Sequence, residues 1–125
     1  MATVLVVDDE FGIVDVLETI LTDEGHRVLT ACNGKQGLVR LSAEKPNVIL
    51  LDFMMPILGG GEMLRAMAAE PAYQRIPVIM ISSLSEGVIA ERCEGYAAFL
   101  HKPFRAAAVL STVARVLGSG ANAAA

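Results

Sequence analysis

Short, unbroken apolar runs, separated by segments of helical period, restrict the fold of this chain more than any other feature. Val4–Val7, Val48–Leu51 and Val78–Ile81 show no alternation of polar and apolar residues. A strand can read that way only when both of its faces are covered. Arg27–Ala31 and Ala98–Leu100 are weaker strand candidates. Strands that alternate with helices imply a parallel sheet layered between helices.

The segments between the runs supply those helices. In Phe11–Glu24, the residues Ile13, Val16, Leu17, Ile20 and Leu21 are expected on one face, with Gly25 at the C-terminal cap. Asn33 is placed to cap a helix from Gly34 to about Glu44, with Leu38 and Leu41 inward and Pro46 stopping it. Gly61–Glu70 carries the stripe Met63, Leu64, Met67, and Glu86–Glu94 is a weaker helix ended by Gly95. Pro103 is expected to open the last helix and Gly118 to close it. The reading is a single α/β domain over residues 1–117. Residues 118–125 are expected to be a flexible tail, whether a natural end, the start of a linker or a cloning scar.

Composition narrows the functional classes. A core drawn from 54% hydrophobic but only 5% aromatic residues is aliphatic. A net charge of −4 without a basic block argues against nucleic acid as a direct partner. Cys32 and Cys93 are too few for a disulfide framework. No apolar stretch reaches membrane-spanning length and no signal peptide is evident, so a soluble cytoplasmic protein without membrane contact is expected.

Chemistry gathers where the runs end. The first runs into Asp8-Asp9-Glu10, the third into Asp52 and the fourth into Ser82-Ser83, while Lys102-Pro103 follows the fifth closely. Ligand sites of open α/β sheets lie beyond the carboxyl ends of the strands, where strand order reverses. The flavodoxin-like order 2-1-3-4-5 would set Asp8 and Asp9 opposite Asp52. Carboxylates that close raise one another's pKa unless a cation intervenes, and Mg²⁺ suits a few carboxylates plus water.

Taken together, the chain resembles a response-regulator receiver domain of two-component signalling. The matching motifs are Val6-Val7-Asp8-Asp9-Glu10, Leu51-Asp52-Phe53-Met54-Met55-Pro56 with Gly60 following, Ile81-Ser82-Ser83, and Phe99-Leu100-His101-Lys102-Pro103-Phe104. They fall in the family's order across residues 4 to 104. The resemblance implies a doubly wound (βα)5 fold and a phosphorylation-dependent switch rather than a conventional enzyme. Asp52 would be the phosphoacceptor. Asp9 would be the direct metal ligand, with Asp8 acting through water and the Met54 carbonyl completing the set. The ion would be Mg²⁺, for which Mn²⁺ can substitute. Lys102 would meet a phosphoryl oxygen across a peptide bond to Pro103 that is cis in the family. Ser82 and Phe99 would form the switch, with Ser83 donating from its backbone. The donor would be a histidine kinase or phosphotransfer protein, and the output a protein target.

Several positions depart from the family. Met54 and Leu84 are apolar where polar residues are common, which implies a long-lived phosphoryl state. Gly59-Gly60-Gly61 is richer in glycine than usual, which implies a flexible loop. The stretch from Ser82 to Lys102 is short, so the fourth helix is expected to be short or displaced, with dimerisation through the last helices not expected. His26 and His101 are read as surface or core-edge residues. An aspartate-nucleophile phosphatase would want an acid at Met54. A nucleotide-binding domain would want a glycine fingerprint where Asp8-Asp9-Glu10 stands. The receiver part of a longer transcription regulator or hybrid kinase is a further reading.

Overall fold

The computed structural model describes residues 1–124, with side chains through residue 118. Ten elements alternate: β1 Thr3–Val7, α1 Phe11–Asp23, β2 Arg27–Ala31, α2 Gly34–Ala43, β3 Val48–Asp52, α3 Gly60–Ala68, β4 Val78–Ser82, α4 Glu86–Arg92, β5 Ala98–His101 and α5 Ala106–Ala124. All strand pairs are parallel, in the order β2-β1-β3-β4-β5. The fold is thus flavodoxin-like, as expected.

Both faces of the sheet are covered by aliphatic side chains. Val4, Val6, Leu50, Ile79 and Ile81 pack with Leu17 and Leu21 of α1 and Val109 and Val113 of α5. Leu5, Val7, Ile49, Leu51 and Met80 pack on the other side with Leu41, Met63, Met67 and Ile89 from α2, α3 and α4. Alternate residues of one strand therefore feed two cores. All five residues of β3 and of β4 are buried, which is why these strands read as continuous apolar runs.

Helix ends follow local chemistry. The Asn33 side chain accepts from the Gln36 N–H at 2.8 Å, the expected cap of α2. Gly25 closes α1 with φ +89°, a conformation that costs glycine no side-chain clash. Other expectations need correction. Val16 is half exposed and Val14 is buried instead, because residues 14, 17 and 21 form the stripe that meets the sheet. The last helix starts at Ala106 rather than Pro103, since its first hydrogen bonds run from Ala108 and Val109 to the Arg105 carbonyl. It also continues past Gly118, where an end was expected. Gly118 and Gly120 each cost only about 1 kcal/mol in a helix, and the alanines after them favour continuation. Residue 125 of the expected tail lies outside the described residues. Helix α4 is the shortest of the five, with seven residues.

Candidate functional site

Parallel register aligns the chemistry at one edge. Val7 pairs with Leu51, so Asp8 and Asp52 leave their strands side by side. Asp52 pairs with Ile81, and Ser82 follows it on β4. The Lys102 N–H donates to the Ser82 carbonyl at 2.8 Å, which fixes where the lysine side chain begins. The Lys102–Pro103 bond is cis.

Lys102 joins the acids. Its Nζ lies 3.0 Å from Asp8 Oδ2, 3.1 Å from Glu10 Oε1 and 3.3 Å from Asp52 Oδ1. Asp8, Asp52 and Ser82 are all nearly inaccessible to solvent, whereas Asp9 and Glu10 are exposed. Asp8 Oδ1 accepts from the Glu10 N–H at 2.9 Å. Its Oδ2 is buried and accepts no hydrogen bond, because Lys102 approaches within ion-pair distance but not along a hydrogen-bonding direction.

Charge is unbalanced here. Burial, and after it the neighbouring Asp8, pushes the Asp52 carboxyl up to about 7, against the pull of Lys102. Asp8 is raised as well, by burial first, despite the Glu10 N–H and Lys102. Burial works to lower Lys102, but its contacts with Asp8 and Glu10 and the charge of Asp52 prevail and hold the ammonium above the usual lysine range. Three carboxyl groups thus share one ammonium among the described residues.

This donor set fits a hard divalent cation. Ligand oxygens of Asp8, Asp9 and Glu10 lie within 4.8 Å of one another, and the unsatisfied Asp8 Oδ2 is beside them. Asp52 reaches this group through their common partner, Lys102. A cavity of about 380 Å³ opens over the acids, lined by Glu10, Ile13, Asp52, Met54, Ser82 and Lys102.

The remaining expected residues are distributed around it. Ser82 Oγ accepts from the Leu84 N–H at 3.0 Å. Phe99 is half-buried on β5, packed against the second core, with its ring 6.3 Å from that of His101. His101 Nε2 bonds the Ser83 carbonyl at 3.0 Å, so the histidine is exposed but not unattached. Met54 is 61% exposed at the cavity wall, whereas Leu84 turns into the second core. The glycine run is no loose loop. Gly60 and Gly61 are buried in the first turn of α3, and a Cβ on Gly60 would strike the Asp52 carbonyl and come within 2.9 Å of Phe53 Cα. Ahead of it, Ile57 holds φ +70° with 76% exposure, a strained posture for a β-branched residue. Glu10 was the residue missed. Only its place directly after two acids at a strand end hinted that its side chain would join Lys102.

The family model for the response regulator receiver domain matches residues 4–114. The chain belongs to that family. Protein PilH of Pseudomonas aeruginosa is 33% identical over 94% of this receiver and 98% of its own length. The probable transcriptional regulator ycf27 of Cyanophora paradoxa is 40% identical over 74% of this receiver but only 36% of the relative. The receiver thus spans about a third of the length of several curated relatives it matches. The crystal structure of chemotaxis response regulator CheY4 of Vibrio cholerae superposes with a TM-score of 0.88 at 30% identity, covering 93% of this receiver and 98% of that protein. Receivers are phosphoacceptor switches of two-component signalling rather than conventional enzymes, and their acidic pockets generally bind Mg²⁺. No helix among the described residues is long and apolar enough to cross a membrane.

Proposed function

We propose that this receiver takes a phosphoryl group on Asp52 from a histidine kinase or phosphotransfer protein, in an Mg²⁺-dependent reaction, and thereby changes its affinity for a protein target. The observation that carries the proposal is the meeting of Lys102 Nζ with Asp8, Glu10 and Asp52 at the mouth of one cavity. A carboxylate oxygen of Asp52 attacks phosphorus in line. The bond from phosphorus to the donor's imidazole nitrogen breaks, its electron pair stays with the imidazole, and an acyl phosphate forms.

Asp8, Asp9, Asp52 and the Met54 carbonyl would hold Mg²⁺, with Mn²⁺ an acceptable substitute. Bound there, the ion would offset the charge of the transferred group. Lys102 exchanges a carboxylate for a phosphoryl oxygen. Phosphorylation adds about −1.5 to −2 charges and new acceptor oxygens. Ser82, nearly inaccessible to solvent and lining the cavity, turns its hydroxyl to one of them, and Phe99 fills the space it leaves. Inverting such a switch from 1:99 to 99:1 takes about 5.5 kcal/mol, while a charge-assisted Ser82 bond supplies about 1.5–3 kcal/mol. Binding of the target completes the transition. A cytoplasmic location, and operation either alone or within a longer regulator, belong to the same proposal.

Intact-mass detection after treatment with acetyl phosphate and Mg²⁺ tests it. A metal-dependent adduct is expected, absent from Asp52→Asn. Wild type that stays unlabelled where an authentic receiver labels would overturn the proposal.

A further inference from the structure

At the opposite edge of the sheet, the segments leading into β1, β2, β3 and β4 and Leu117 of α5 surround a second cavity of about 720 Å³. Lys45 and Asn47 precede β3, Arg75 and Ile76 precede β4, His26 precedes β2, and Leu117 lies on α5. Its Asn47 is separated from Asp52 by roughly 16 Å along β3.

Its polar lining offers donors. Lysine and arginine have no acceptor atoms. Asn47 Oδ1 is already engaged by the Thr3 N–H at 2.8 Å, which leaves the amide N–H groups of that side chain to donate. His26 Nδ1 accepts from the Ala2 N–H at 3.1 Å, so the free ring nitrogen, Nε2, carries the proton. No carboxylate lines the cavity, and neither Lys45 nor Arg75 is in an ion pair among the described residues. The carboxylate of Glu44, next to Lys45 in sequence, is held by Arg27. In a chain of net charge −4, two uncommitted cations and two oriented neutral donors in one concavity are a local inversion of the field. Ile76 and Leu117 add apolar wall.

We infer that this cavity binds a small oxyanion-bearing ligand, a phosphate ester or a polycarboxylate, independently of phosphorylation. Its volume is within the range of small-molecule sites and larger than a bare oxyanion needs. Arg75 supplies a fork that matches either anion, and Lys45 a compact charge beside it.

The test uses the full chain carrying Asp52→Asn, stripped of metal and exchanged into chelator-free, phosphate-free buffer, so that engagement at the other edge is not mistaken for binding here. Backbone amide NMR shifts are followed during titration with pyrophosphate, adenosine monophosphate and citrate. Saturable shifts at His26, Asn47 and Ile76 are expected with at least one probe. The exposed double substitution Lys45→Gln, Arg75→Gln should weaken them roughly tenfold or more. Response to the phosphates alone assigns a phosphate ester, and response to citrate alone a polycarboxylate. Absence of saturable shifts with all three probes, or shifts that the double substitution leaves unchanged, overturns the inference.

Discussion

At the scale of single residues, Asp52 carries an unfavourable charge. Its carboxyl titrates near 7 in the fold, well above its ordinary value of 3.8, chiefly because it is buried. An acid raised in this way prefers its proton in the folded state, so it stabilises the fold below the unfolded value and that contribution is lost as pH rises through the folded one. Metal-free protein should therefore lose stability between about pH 4 and about pH 8, and Asp52→Asn should flatten that slope. Denaturant melts in EDTA would show it, with the variant the more stable at the alkaline end and the gap closing toward the acid end. Met54 bears on kinetics instead. An exposed thioether at the cavity wall neither orients nor activates a water, so Met54→Asn should shorten the phosphoryl lifetime several-fold when adduct decay is followed by mass. Leu84→Glu should have less effect on the site, since Leu84 packs into the core beside α4.

At the scale of elements, the tightest junction is the passage from β3 to α3. The helix begins so close to the end of the strand that residue 60 must lack a side chain, and the Gly60 N–H donates to the Phe53 carbonyl at 2.9 Å. Gly60→Ala should cost about 1–3 kcal/mol, as overpacking does, measured by thermal or chemical unfolding. Gly12→Ala, where a Cβ would meet no heavy atom within 4 Å, serves as the control and should be neutral or mildly stabilising. The elements were largely legible because burial on both faces leaves strands with nothing but aliphatic residues. The edge strand β2, half-buried, was readable from Arg27-Val28-Leu29-Thr30-Ala31 alone. Helix faces were less so, since Val14 and Val16 are chemically identical and only the direction of approach to the sheet distinguishes them. The candidate site was legible wherever a polar residue ends a strand or directly follows it, as Asp52 and Asp8 do. Glu10 escaped because a side chain's reach is not a property of sequence spacing. So did the tight packing of Gly60, because glycine marks close approach and freedom with the same letter.

At the scale of the molecule, the two cores share every strand yet lie on opposite sides of the sheet. Val113→Ala on one side and Met67→Ala on the other should each destabilise by about 2 kcal/mol or more. Their effects should add to within about 0.5 kcal/mol, because neither helix touches the other's cavity. Equilibrium unfolding followed by two probes should remain a single transition, as removing either layer exposes the strands that support the other. The span of chain between Lys102 and its partners has its own outcome. On the proposed function, a polypeptide emerging from the ribosome presents the acceptor carboxylate of Asp52 long before residue 102 has been synthesised. The nascent chain is consequently silent to its kinase, and competence to signal arrives only with the fifth strand, so the position of one lysine serves as a check that translation and folding have brought all five strands together.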